Sequence, residues 1–263
     1  MSTQYDHIAA AYDALTQMPP EHIEHYTIHK ILRPRVKDAK VLELACGLGF
    51  HARQSVDMGA SHVPALDISQ GMIEAARAAA STNPDHKAKL SFQVANCQQP
   101  QQYPDGPFDV VLACWLLNYA PNYDVLVSTF RNAACNLRKG GVFTGSTVVP
   151  AEDPLAWLER QHTLRPKRRG IIWNDLIEEV EGGMKVKTTA LLKENEKDNK
   201  VHFLNFHLQE SLYQRAAREG GFENGIEWQT LEFPHDFVGR SDEEWLRSFV
   251  TLPETGVFVA KKS

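Results

Sequence analysis

The stretch VLELACGLGFHA, Val41 to Ala52, decides how the rest of the chain is read. An apolar run carrying one acid, Glu43, leads into two glycines one residue apart, Gly47 and Gly49, and then to Ala52. A short strand that breaks into a glycine turn and a helix brings backbone N–H groups close to a ligand, because glycine has no side chain to hold the ligand off. Asp67 stands 20 residues beyond Gly47, so the spacing by itself satisfies the dinucleotide fingerprint G-x-G-x-x-G/A.

Working outward from this turn, β-rich runs alternate with helical stretches. The expected strands are Val41–Leu44, His62–Asp67, Leu90–Val94, Phe108–Ala113 and Gly141–Thr147. Between them the expected helices are Phe50–Met58, Gln70–Ala80, N-capped by Ser69, and Tyr123–Leu137, stopped by the glycines of LRKGG. Such alternation builds a parallel sheet with crossover helices. After Thr147 it breaks: a helix over Asp153–Thr163, a basic loop and a polar segment with Trp173 precede two strand-like runs, Met184–Leu192 and Val201–Leu208. These are joined by the charged ENEKDNK and read as a β-hairpin. The frame resumes with a helix over Glu210–Glu219, strands Glu227–Phe233 and Gly256–Lys261, and the helix Asp242–Val250 between them. The fold class expected is α/β, a Rossmann-like, seven-stranded, mostly parallel sheet with helices on both faces, its last two strands forming an edge hairpin. Within one domain spanning 1–263, residues 1–36 read as N-terminal lid helices, 37–150 as the cofactor-binding core, 151–209 as an inserted cap and 210–263 as the rest of the sheet.

A chain of 263 residues with 43% hydrophobic and 23% charged residues can bury one substantial core. Its formal net charge of -5 gives no general attraction for phosphate backbones, so no nucleic-acid partner is expected; RPKRR, Arg165 to Arg169, reads as a solvated loop. No apolar run suits a signal peptide or a membrane span, which predicts a cytoplasmic protein without a membrane partner. Cys46, Cys97, Cys114 and Cys135 lie far apart in apolar surroundings and read as reduced core thiols. Neither they nor the 11 histidines show metal-ligand spacing, so no metal is expected.

The glycines do not choose between a nicotinamide dinucleotide and another adenosine cofactor, but Glu43 does. A carboxylate at the mouth of the first strand repels a pyrophosphate and suits a ligand bearing positive charge, such as the sulfonium and ammonium of S-adenosylmethionine. Glu43-Leu-Ala45-Cys46-Gly47-Leu-Gly49 resembles the acid-x-G-x-G-x-G loop of the class I S-adenosylmethionine-dependent methyltransferases, with Ala45 in place of the first glycine. ALDIS resembles the family's second motif, which implies Asp67 on the ribose, Ile68 against the adenine and Met72 as an apolar contact from the following helix. VANC resembles the third, with Asn96 where the family usually has Asp for the adenine amino group, followed by Cys97. FDVVLACWLLNYA resembles the fourth strand and the loop facing the acceptor, which brings in Ala113 and Cys114 on the cofactor side and Trp115, Asn118 and Tyr119 on the substrate side.

Methyl transfer is an in-line displacement, so the protein chiefly has to hold the nucleophile against the methyl carbon and keep water out. Asn118, Tyr119 and Tyr12 are the expected catalytic residues. Tyr5, Ile8 and Tyr12 fall at helical spacing; the opening YDHIAAAYDAL resembles N-terminal segments whose aromatics close over the methionine end of the cofactor. Trp173, His162, His202, Asn205 and His207 of the cap are candidates for the acceptor pocket, and His7 or one of these for a general base. The phrasing YDxIAxxYDAL, LELACGLGF, CWLLNYA and AAREGGF is similar to the toxoflavin-type, secondary-metabolite branch, implying a small polar acceptor. Oligomeric state stays open between monomer and homodimer. Three rival readings remain: consumption of the cofactor by cyclisation with release of methylthioadenosine, a non-catalytic binding module, and nicotinamide-dependent reduction.

Overall fold

The computed structural model describes residues 3–6, 9–164, 172–192 and 200–263. His7, Ile8, the RPKRR loop and all of ENEKDNK except Lys200 lie outside them. Five strands, β1 (Val41–Leu44), β2 (Val63–Asp67), β3 (Leu90–Val94), β4 (Phe108–Cys114) and β5 (Leu137–Val148), run parallel. The sheet order is β3-β2-β1-β4-β5-β10-β9, where β9 is Glu227–Gln229 and β10 is Thr255–Lys261. The chain leaves β1 toward one edge and returns through β4 toward the other, which opens a crevice at the carboxyl ends of β1 and β4.

Both faces of the sheet are buried, and the strands are near-continuous apolar runs: β1 has no exposed residue. One face packs α6 (Tyr123–Asn136) and α8 (Glu210–Glu219), with Phe130, Phe143, Phe222 and Phe258 interlocked at centroid separations of 5.0–6.1 Å. The other packs α2 (Pro19–Val36), α3 (Phe50–Asp57) and α4 (Gln70–Ala80) through Ile23, Ile28, Leu32, Val56 and Ile73. Helix α4 starts as expected, with Ser69 Oγ accepting the Met72 N–H at 3.2 Å.

Several expectations need correction. The third helix has no glycine stop: Asn136 passes directly into β5, Leu137 pairs with Phe108, and Gly140 (φ +75°) sits inside the strand beside a register shift. The final pair is antiparallel and at an edge, with β9 outermost and α9 (Glu243–Thr251) in their connection as expected, but β9 stops at Gln229 instead of Phe233. The inserted cap has one strand more than a hairpin. After α7 (Pro154–Leu164), the segment expected to be a polar connection is β6 (Ile172–Val180), which pairs with β7 (Gly183–Leu191), itself paired with β8 (Lys200–Leu208). Strand β6 escapes a pattern search because it is an edge strand whose outer half, Leu176 to Glu179, is exposed throughout, apolar Leu176 and Ile177 as well as acidic Glu178 and Glu179, so no alternation marks it; the two acids protect the edge. Of the four thiols, Cys46 and Cys97 are buried and Cys135 is exposed at the end of α6.

Candidate active site

The glycine turn is a run of left-handed residues: Ala45 (φ +57°), Gly47 (φ +52°) and Gly49 (φ +69°). This conformation explains why the first position favours glycine, and Ala45 adopts it against a cost of about 1 kcal/mol. Asp67, at the end of β2, ties the turn down: its carboxylate accepts the Gly47 N–H at 2.8 Å and the Ser69 N–H at 2.9 Å. A carboxylate has about four lone-pair positions, so two remain for ribose hydroxyls.

Two cavities open above the crevice and share a wall made of Tyr12, Ala45, Gly47, Cys114, Trp115 and Tyr119. The first also collects Asp67, Ile68, Met72, Asn96 and Cys97, which the resemblance gives to the adenosine half, and Tyr5, which it gives to the methionine end. Ile68 is 43% exposed there, an apolar surface of the kind an adenine ring covers. Asn96 makes a turn as well as lining the cavity, its Oδ1 accepting the Gln98 N–H at 3.0 Å.

The second cavity takes in Glu43, Cys46 and Asn118 together with α2 and the cap. Glu43 is 2% exposed, its Oε2 has no hydrogen-bond partner, and burial raises its carboxyl to about 8 against the nearby Arg53 charge. An orphaned carboxylate oxygen at this depth fits the ammonium end of S-adenosylmethionine. Asn118, on the 3-10 turn Leu117–Tyr119, is 1% exposed and likewise leaves its Oδ1 unpartnered.

The N-terminal aromatics meet the acceptor loop. Tyr5 precedes α1 (Ala9–Thr16) in a turn, so the spacing that suggested one helix from Tyr5 to Tyr12 does not hold. Even so, the Tyr5 ring stands edge-on to Tyr12 at 5.8 Å and to Tyr119 at 5.9 Å, and the Tyr5 and Tyr119 hydroxyls are hydrogen-bonded. Burial raises all three phenols well above their ordinary range, so they stay neutral. Gln4 reaches the cap, donating to the Leu204 carbonyl and accepting the Leu204 N–H. Asp6 accepts the Ser69 hydroxyl at 2.7 Å.

Other expected site residues stand elsewhere. Gly49 N-caps α3, where a Cβ would meet Phe92 at 2.9 Å, so its role is helix packing. Ala113 is fully buried in the sheet core. Trp173 does not line the acceptor cavity: its neighbours Ile172 and Asn174 do, and the two-residue period of β6 turns the indole the other way, toward Asp175. By the same alternation Phe203, Asn205 and His207 of β8 line the cavity while His202 is exposed; His162 donates to the Asn174 carbonyl.

The sequence reading missed Glu24 and His51. Glu24 is 3% exposed, accepts Trp115 Nε1–H at 2.9 Å and the Ser146 hydroxyl at 2.6 Å, and is raised by burial to about 7. Its signal was available: Glu24, Thr27, Ile28 and Leu32 form the buried stripe of α2, and an acid on such a stripe requires a reason. His51, buried at 7% exposure with Nδ1 unpartnered, is held well below its ordinary range by burial. Glu24, His51 and Cys114 bring donor atoms within 4.8 Å of one another, a grouping that spacing along the chain hides because three elements contribute.

Residues 41–141 match the family model described as "Methyltransferase domain". A protein of Haemophilus influenzae is 29% identical over 141 residues, covering 54% of this chain and 52% of its own, so the chain spans about half the length of that relative. Among solved structures, an S-adenosylmethionine-dependent methyltransferase from Listeria monocytogenes has a TM-score of 0.60 at 17% identity, over 92% of this chain and 97% of its own. CalS10, an amino pentose methyltransferase from Micromonospora echinaspora, has a TM-score of 0.52 at 16% identity, over 97% and 95%. The glycine turn, Asp67 and the crevice between β1 and β4 all lie in the matched stretch, so residues 41–141 form a methyltransferase domain, and over nearly its whole length the chain is similar in fold to S-adenosylmethionine-dependent methyltransferases.

Proposed function

We propose that the protein transfers a methyl group from S-adenosylmethionine to a small polar acceptor in specialised metabolism. The observation that carries this reading is the meeting of the two cavities at Tyr12, Ala45, Gly47, Cys114, Trp115 and Tyr119, one with adenosine-binding residues and the other roofed by the cap. Asp67 holds the ribose, Ile68, Met72 and Asn96 hold the adenine, and Glu43 faces the ammonium. When bound, the cofactor supplies an electrophilic methyl carbon on a sulfonium. The protein then has to exclude water and orient the nucleophile, tasks that fall to the aromatic cover of Tyr5 and Tyr12 and to the amide of Asn118 and the ring of Tyr119. A roofed cavity with an acidic wall suits a small molecule and disfavours a nucleic acid. The likeness of YDxIAxxYDAL and CWLLNYA to the toxoflavin-type branch supports the same class of acceptor.

Asn118→Ala tests the placement of the acceptor. Turnover should fall by roughly tenfold to a hundredfold, the worth of a positioning hydrogen bond in a buried site, with cofactor affinity little changed. The opposite pattern, intact turnover and weakened cofactor binding, would move Asn118 out of the acceptor cavity.

A further inference from the structure

The acceptor cavity is lined by more carboxyl groups than the cofactor engages. Among its described lining residues are Asp13, Glu21, Glu24, Glu43 and Glu254, against a single guanidinium, Arg53. Arg53 donates to the Leu48 carbonyl at 2.6 Å and acts on Glu43, so it belongs to the glycine turn. The histidines facing the space add no charge, since burial holds His25 and His207 near 3 and His51 low as well. S-adenosylmethionine carries one net positive charge, which Glu43 meets.

Glu24 is then left in the cavity wall with two hydrogen-bond donors and, among the described residues, no ion partner. Both donors come from the strand ends that form the crevice, Trp115 after β4 and Ser146 in β5, so the carboxylate is fixed beside the wall common to both cavities. Trp115 holds its place with a left-handed backbone (φ +58°), a strained conformation for a bulky side chain and of the kind found where geometry serves a site. Opposite, the cap presents Asn205, whose buried Oδ1 has no partner and can accept only from a donor that arrives with a ligand. Of the unmatched buried polar atoms on the residues lining this space, Glu43 Oε2, Asn118 Oδ1, Asn205 Oδ1 and His51 Nδ1 accept or can do so, and Trp157 Nε1–H alone is limited to donating.

We infer that the acceptor is an amine bound as its ammonium, with Glu24 as the carboxylate that orients the nitrogen and takes its proton. This rests on the methyl-transfer reading above. The nitrogen passes one proton to a Glu24 oxygen, and its freed lone pair forms the N–C bond while the C–S bond breaks with the electron pair left on sulfur. The methylated nitrogen is again a cation, and the proton on Glu24 leaves through the half-buried Glu21 and Glu254 side of the cavity. Burial raises Glu24 to about 7, which makes it basic enough to accept that proton near neutrality.

The test uses the full chain saturated with S-adenosylhomocysteine, with affinities read by calorimetry and ligand-observed NMR. The probes are tryptamine and cyclohexylmethylamine, each beside its neutral alcohol analogue, tryptophol and cyclohexylmethanol. At least one amine should bind ten times or more tighter than its alcohol, and Glu24→Gln should remove that preference without changing affinity for S-adenosylhomocysteine. Should Glu24→Gln fail to fold, Glu21→Gln and Glu254→Gln, at half-buried positions, should each cut the preference severalfold. No preference for either amine, or one that survives these changes, would overturn the proposal and leave the methyl-transfer reading standing; failure of the wild-type protein to bind S-adenosylhomocysteine would remove both. Stoichiometric zinc retained by the purified protein and lost in Cys114→Ser would assign Glu24 to a metal with His51 and Cys114, and would overturn it too.

Discussion

Asp67, Ala45 and Glu43 show how single residues set the cofactor site. Asp67 holds the glycine turn and, under the proposed function, the ribose as well, so Asp67→Ala should weaken S-adenosylhomocysteine binding by about 1.5–3 kcal/mol in a calorimetric titration, the worth of a hydrogen bond to a charged group. Unchanged affinity would mean that the ribose lies elsewhere. Ala45 occupies a left-handed conformation that glycine adopts without strain, so Ala45→Gly should raise stability in urea by about 0.5–1 kcal/mol, after the extra entropy of an unfolded glycine is subtracted. Glu43 is largely protonated at neutrality in the free protein, because burial raises it to about 8. A positively charged ligand favours the ionised form, so binding near pH 7 should release a fraction of a proton. Binding enthalpies that are identical in buffers of different ionisation heat would refute this.

Among elements, the boundary between what was legible and what was not follows the source of the pattern. Strands β1, β2 and β4 and helices α4 and α8 announce themselves because burial on the sheet, an N-cap such as Ser69 and a stop such as Gly220 are local facts. Strand β6 was missed because its polarity comes from standing at the edge of a second sheet, a tertiary circumstance. The same limit hid Glu24, since its partners Trp115 and Ser146 lie 91 and 122 residues away. It also misassigned Trp173, where the register of β6, unknown from the sequence, decides which face looks into the cavity. Asp67 and Ile68 stand out in the sequence because β2 ends at Asp67, and Asn118 because it is a polar residue in the turn that follows β4. At this scale the N-terminal segment is held to α4 by Asp6, whose carbonyl lies 2.6 Å from where a Cβ on Gly71 would stand. Gly71→Ala suits the helix but should push the segment off. Cofactor affinity should then fall on the order of tenfold, about 1.4 kcal/mol, without loss of thermal stability, and proteolysis should cut before α1 more readily.

The molecule as a whole concentrates buried ionisable groups around one crevice, and its stability should record them. Glu24 and Glu43 hold their protons in the folded state to about 7 and about 8, well above the ordinary carboxylate value of 4.5. The folded protein therefore binds more protons than the unfolded chain in that window, and the stability these groups contribute is lost as pH rises through it. His25 and His207 act in the opposite sense, since the unfolded chain protonates them below 6.5 while burial holds them to about 3 in the fold. Above pH 7 the carboxyls outweigh the histidines, so stability of the free protein should fall by on the order of 1 kcal/mol between pH 7 and 8.5. Flat urea midpoints across that range would contradict the assigned burial. Saturating cofactor should flatten the slope by supplying the charge that Glu43 lacks.

Under the proposed function, the two joined cavities carry a methyl group from S-adenosylmethionine to an acceptor. Incubating the protein with S-adenosylmethionine, alone and with a panel of small amines, and following products by mass spectrometry tests it directly. No turnover is expected without acceptor, and with one present S-adenosylhomocysteine should form together with an amine heavier by one methylene unit. Methylthioadenosine formed in the absence of any acceptor would contradict it.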